Sequence, residues 1–149
     1  MKILVGTDGS EYSRAAVAAC CRLIGQEKGS AIRVVGVYQP QVPMAAEPFA
    51  VSAEYYQKLD QFAHDNACVA TKEACAIIRD GSGDEVPNIT TVVSLGRPAE
   101  VIVDCAKEWK PDLVVVGSHG RGFWGRLTLG SVSDAVVHHA PCSVMVVRP

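Results

Sequence analysis

Five short runs rich in valine, isoleucine and leucine alternate along this chain with four segments of helical periodicity, and that alternation leaves few folds open. The apolar runs are Lys2–Thr7, Ile32–Tyr38, Ile89–Ser94, Leu113–Val116 and Ser143–Val147. Between them, helices are predicted over Glu11–Ile24, Ala53–Arg79, from Gly96-Arg97-Pro98 to about Trp109, and over roughly Val132–His139. Ala15, Ala16, Ala19, Leu23 and Ile24 repeat at helical spacing in the first, and Val101, Ile102, Cys105 and Ala106 form the expected core face of the third. The breaks carry turn chemistry. Ser10 and Ser13 can cap a helix start, Gly25 or Gly29 can end the first helix, Asp80–Glu85 interrupts the second, and Lys110-Pro111 and Pro141 stop the last two.

The order β-α-β-α-β-α-β-α-β predicts one α/β domain over residues 1–149, an open five-stranded parallel sheet with helices on both faces. Ligands of such sheets bind outside the carboxyl ends of the strands, where the strand order reverses. Asp8 ends the first run and Gly117 follows the fourth. If those strands are neighbours, their loops share one crevice.

The composition narrows the function classes. A chain of 149 residues, 48% hydrophobic and 20% charged, can bury a real core and is not disordered. A net charge of −2 gives no overall pull toward nucleic acid, so no nucleic-acid partner is expected. No apolar run approaches the roughly 20 residues a bilayer requires, and the start reaches Asp8 at once, so no membrane association and a cytoplasmic location are expected. The six cysteines form no Cys-x-x-Cys pair and have no zinc-like spacing with histidine. Cys68 and Cys75 lie two turns apart on one helix face. Buried thiols acting as small apolar residues are the simpler reading, and redox sensing is the other.

Chemistry concentrates in Gly117–Ser133, where glycines, hydroxyl residues, two arginines and a histidine crowd the exit from the fourth strand. Glycine there permits positive φ and close approach to a ligand, and free N–H groups at a following helix start make an anion site. The segment has no Gly-Lys-Ser/Thr, which excludes a Walker loop, and it lies far from the first strand, where the dinucleotide fingerprint belongs.

Its spacing is Gly117-x-x-Gly120, nine residues, then Gly130-Ser131. That pattern resembles the signature of the universal stress protein family, and the resemblance extends over the whole chain, from Lys-Ile-Leu-Val-Gly-Thr-Asp-Gly-Ser to Pro-Cys-Ser-Val-Met-Val-Val. It implies a Rossmann-like, adenine nucleotide alpha hydrolase-like fold and the ATP-binding branch of the family. It further implies that Gly117 and Gly120 let the loop backbone meet ribose and phosphates, with His119 near the triphosphate. Gly130, Ser131, Val132 and Ser133 would present N–H and hydroxyl donors to phosphate. Thr7 and Asp8 would face the ribose or a bound Mg, and the Val37 backbone would contact adenine.

Other readings of these residues stay open. Asp8 can cap the first helix or hold the Gly9-Ser10 turn, His119 can be an exposed loop histidine, and Ser131 and Ser133 are the best N-caps of the last helix. Arg121 and Arg126 face phosphate or solvent, and Phe123 and Trp124 pack under the loop or meet a partner. Tyr55 and Tyr56 are expected in the core and rim of the second helix. The proline-rich stretch Gln39–Ser52 is expected to be an exposed loop bordering the site. Three functions compete: a regulatory protein that binds ATP with at most slow hydrolysis, a true ATPase or nucleotidyl- or phosphoryl-transfer enzyme, and a dimeric scaffold without nucleotide. The resemblance also implies a homodimer through the last strand, whose apolar edge at Cys142–Val147 needs covering.

Overall fold

The computed structural model of the chain describes residues 1–24, 29–40, 52–83, 87–120 and 129–149. Its elements are β1 (Lys2–Thr7), α1 (Glu11–Ile24), β2 (Ala31–Tyr38), α2 (Ala53–Gly81), β3 (Asn88–Leu95), α3 (Pro98–Trp109), β4 (Leu113–Gly117), α4 (Ser131–His139) and β5 (Ser143–Val147). All strand pairs are parallel, in the order β3-β2-β1-β4-β5. β1 is therefore central, running against β2 from Lys2↔Ala31 to Thr7↔Gly36 and against β4 from Ile3↔Leu113 to Val5↔Val115.

The handedness of the crossovers distributes the helices. The chain moves outward through β2 and β3, then returns across β1 to β4 and β5. With right-handed connections the two directions put their helices on opposite faces. α1 accordingly packs with α2, and α3 with α4. Alternation along the strands fills both layers. Ile3, Val5, Ile32, Val34 and Val115 meet α1 and α2, while Leu4, Val35, Val114 and Val116 meet α3 and α4. Sheet burial on both faces explains why these strands read as continuous apolar runs.

Some expectations shift at the edges. β3 is longer than Ile89–Ser94, because Asn88 and the exposed Leu95 extend the ladder on an edge strand. α2 continues to Gly81, where the Ser82 N–H closes on Arg79 O. Ser52 caps its start, with Oγ accepting from Tyr55 N–H at 3.3 Å. Burial along α2 begins only at Ala67, so its first turns overhang the sheet and leave Tyr55 and Tyr56 exposed instead of in core and rim. In α3 the buried residues are Ile102, Val103 and Ala106, with Val101 and Cys105 half-buried. α3 stops as expected at Lys110, which takes the left-handed conformation (φ 51°) and donates to Ala106 O before Pro111. Among the described residues no helix is long and apolar enough to cross a membrane.

One close approach ties α2 to the sheet. A Cβ on Gly36 of β2 would lie 2.6 Å from Thr71 Cγ2 and 3.2 Å from Ala67 O. Gly36→Ala is therefore expected to destabilise the protein by about 1–3 kcal/mol. Adding Thr71→Ser, which deletes the clashing methyl, is expected to recover part of that loss in urea unfolding. Equal midpoints for the single and double variants would contradict this account.

Candidate functional site

At the carboxyl end of β1 a tight hydrogen-bonded turn launches α1. Gly9 takes φ 75°, Ser10 N–H donates to Asp8 Oδ1 at 2.9 Å, and Ser13 N–H donates to Ser10 Oγ at 3.2 Å. Asp8 thus holds the turn with one carboxylate oxygen, and Ser10 caps the helix. Thr7 Oγ1 accepts from Gly9 N–H and donates to Ser13 Oγ at 3.2 Å, and Ser13 Oγ donates to Ser10 O at 3.0 Å.

The end of β4 packs directly on this turn. A Cβ on Gly117 would stand 2.7 Å from the Tyr12 carbonyl carbon and 2.9 Å from Ser13 N. Beyond it, Ser118 is pinned from three sides. Its N–H donates to Val147 O at 2.8 Å, and its carbonyl accepts from Gly130 N–H at 2.8 Å and from Ser133 Oγ at 2.9 Å. His119 is buried, not an exposed loop histidine. Its Nδ1 lies 3.0 Å from Ser118 Oγ and its ring packs at 5.1 Å on Tyr12. A Cβ on Gly120 would come within 3.1 Å of Asp8 Oδ2, so the two loops meet there.

These glycines serve close approach and not positive φ. The positive-φ glycines among the described residues are Gly9, Gly29, Gly83 and Gly96, and Gly130 has φ −67°. The capping expectation for Ser131 and Ser133 is also corrected. α4 starts at Ser131, one residue earlier than predicted, with Gly130 as an N-cap that has no side-chain bond. The Ser133 hydroxyl proton is directed at Ser118 O and Gly130 O, both at 2.9 Å, so it closes the loop and is not a free donor. The first intrahelical bond runs from Asp134 N–H to Gly130 O, which leaves the N–H groups of Ser131, Val132 and Ser133 ahead of the helical ladder.

All ten residues singled out in the sequence line one cavity of about 330 Å³: Thr7, Asp8, Val37, Gly117, His119, Gly120, Gly130, Ser131, Val132 and Ser133. The sequence reading missed Gly6, Ser13, Val35, Pro98, Ile102 and Val116, which complete the wall. Two of these were recoverable, since strand alternation puts Val35 on the face of Val37 and Gly6 adjoins Thr7. Ile102 and Pro98 arrive from α3, which packs on the sheet face of Val35 and Val116, and no local spacing announces them. A Cβ on Gly6 would lie 2.9 Å from Ile102 Cδ1, so α3 closes tightly over this wall. The β1 ladder ends at Thr7↔Gly36, so β2 runs past its neighbour and its backbone at Val37 borders the crevice.

Among the described residues no group of three or more His, Cys, Asp or Glu side chains could hold a metal. Among the described residues Asp8 is the carboxylate on the cavity wall. Arg121, Arg126, Phe123, Trp124 and most of the proline-rich stretch, residues 41–51, lie outside the described residues.

Known proteins agree with this architecture. The chain matches the Universal stress protein family over residues 1–148. It is 36% identical over 146 residues to a universal stress protein of Thermus aquaticus, covering 98% of this chain and 97% of that protein. The universal stress protein UspA from Lactobacillus plantarum superposes with a TM-score of 0.79 at 26% identity, covering 99% and 97% of the two chains. A universal stress protein solved in complex with cAMP superposes with a TM-score of 0.51 at 27% identity, over 99% and 97%. The chain belongs to the universal stress protein family.

The two loop glycines have separable roles. Gly117→Ala sets a methyl against rigid backbone and is expected to lower stability by about 1–3 kcal/mol. Among the described residues Gly120→Ala meets only a carboxylate oxygen, and it is expected to stay within about 0.5 kcal/mol of the wild type. Denaturant titrations compare them, and equal losses would overturn the distinction.

Proposed function

We propose that the cavity binds an adenine nucleotide, ATP with Mg, and that occupancy alters conformation or partner choice with at most slow hydrolysis. The observation that carries this reading is the meeting, in one cavity, of the N–H groups at the start of α4 and an apolar slot between Val35, Val37, Val116 and Ile102. The two ends suit opposite parts of a nucleotide. Planar bases favour apolar walls bordered by free strand backbone, and phosphates favour helix N-termini. In this reading adenine lies in the slot against the Val37 backbone, and Thr7 and Asp8 face the ribose. Gly117, His119 and Gly120 border the sugar and phosphates, and Gly130–Ser133 receive the phosphates. Mg would be held by Asp8 together with phosphate oxygens, because Asp8 Oδ1 is already engaged by Ser10 and no further carboxylate lines the wall among the described residues. The relative solved with cAMP supports an adenine nucleotide as the ligand class.

Regulation fits better than fast catalysis. Rapid phosphoryl transfer needs a positioned base and a cationic clamp beside the metal. The titratable side chains on the described wall are Asp8, tied into the turn, and His119, packed on Tyr12. The proposed setting is the cytoplasm, where the six free thiols persist. The proposed assembly is a homodimer through β5, an edge strand whose Val144–Val147 side chains are half-buried. A solution mass of 15.8 kDa by light scattering, that of a single chain, would overturn the dimer.

Position 131 tests the nucleotide reading. Ser131 is the first residue of α4, and Gly130 before it (φ −67°, ψ 155°) already has the backbone that precedes proline. Ser131→Pro removes one N–H from the cavity and no intrahelical bond. It is expected to weaken ATP binding in calorimetry by about 10–100-fold, the worth of one charge-assisted hydrogen bond, while leaving the melting temperature within a few degrees. Ser131→Ala is expected to bind nearly as the wild type does. A wild-type protein that gives no heat with ATP and releases no nucleotide on denaturation would sink the proposal.

A further inference from the structure

The six cysteines are free, and one differs from the rest in its neighbours. Cys20 is sealed in the core, where burial and the adjacent Cys21 push its thiol up to about 12. Burial also raises Cys21, Cys75, Cys105 and Cys142, so these thiols hold their protons at neutral pH. Cys68 lies elsewhere, half-buried on α2 and one turn after His64. Its Sγ is 3.7 Å from His64 Nε2 and 3.8 Å from Nδ1, within hydrogen-bond reach of a sulfur. Asp65 Oδ1 stands 3.4 Å from Nδ1, and Gln61 Nε2 donates to the same oxygen at 2.8 Å. The Tyr38 ring meets the imidazole edge-on at 5.2 Å and 86°, which restrains its plane. Asp65 is placed to accept from one protonated ring nitrogen, which leaves the other as the base beside the thiol.

We propose that Cys68 is the oxidant-sensitive thiol of this protein, with His64 as its proton acceptor, and that hydroperoxides convert it to a sulfenic acid. His64 takes the thiol proton, and the thiolate sulfur attacks one peroxide oxygen. The O–O bond breaks, sulfur loses two electrons to the peroxide, and the departing hydroxide leaves as water with the proton from His64. Cys75 cannot resolve the product internally. Seven residues along one helix separate the two Cα atoms by about 10.5 Å, beyond the roughly 7 Å a disulfide can span. The sulfenic acid instead condenses with a small-molecule thiol, forming a mixed disulfide and releasing water. Among the described residues the ionisable groups flanking the pair are Asp60 and Lys72, one turn away on α2, Asp65 beside His64, and Tyr38 at the end of β2. His64 has a side chain 41% exposed, so both peroxide and a replacement side chain have room.

The test is native protein treated with substoichiometric hydrogen peroxide in the presence of dimedone, followed by peptide mass spectrometry. Cys68 is expected to carry at least 10-fold more tag than any other cysteine, and Cys68→Ser to remove it. His64→Gln, a surface exchange checked by circular dichroism, is expected to slow tagging of Cys68 at least 10-fold at neutral pH and to move its pH–rate curve upward. Even tagging, or tagging concentrated at another cysteine, overturns the proposal. An unchanged pH–rate curve in His64→Gln overturns the role of the histidine.

Discussion

The reversal of strand order between β1 and β4 is the constraint on which the rest of the molecule depends. The right-handed crossovers through α1 and α2 step from β1 out to β3, and those through α3 and α4 step the opposite way to β4 and β5, so α1 and α2 cover one face and α3 and α4 the opposite face. At the carboxyl ends of β1 and β4 the chain departs in opposite directions, and no helix can fill the gap between them. The cavity is the direct result. Its walls come from β1, β2 and β4, its roof from α3, and its polar end from the start of α4.

Packing at that reversal explains the glycines better than ligand approach alone. Gly117 lies against the Tyr12 backbone, Gly120 beside Asp8, and Gly130 has a Cβ position 3.0 Å from Ser118 O. Gly117 and Gly130 each bring two chain segments closer than a side chain would readily permit. The same contacts align α4 so that its first N–H groups stand at the cavity, with the Ser133 hydroxyl closing on Ser118 O to keep it there. A residue type chosen for backbone proximity thereby serves both fold and site, and variants at Gly117 or Gly130 would confound the two. Position 131 separates them because its N–H is needed by no other part of the helix.

The thiols divide along similar physical lines. Cys20 and Cys75 behave as small core residues, in keeping with the simpler reading of the cysteines. Cys68 shares a helix face with Cys75 in the sequence, yet α2 rests on the sheet only from Ala67 onward, which leaves His64 and Cys68 near the boundary of the buried stretch. Tyr38 reaches that boundary from β2, immediately beyond the Val37 that borders the cavity.

The sequence by itself determined the element order and the parallel sheet, because periodicity and turn chemistry are local signals, and its resemblance to the family supplied the ten residues that converge on the crevice. Helix ends were legible where local chemistry sets them, as at Lys110-Pro111, and slipped where a distant contact decides, as at Ser131. Only the tertiary structure decided that β1 and β4 are neighbours, since strand order is a property of crossovers and not of any run of residues. It also decided that α3 supplies Pro98 and Ile102 to the wall, that Tyr55 and Tyr56 overhang the sheet, and that the glycines act by proximity. Each of these depends on the separation between atoms remote in sequence, and spacing along the chain carries no record of it.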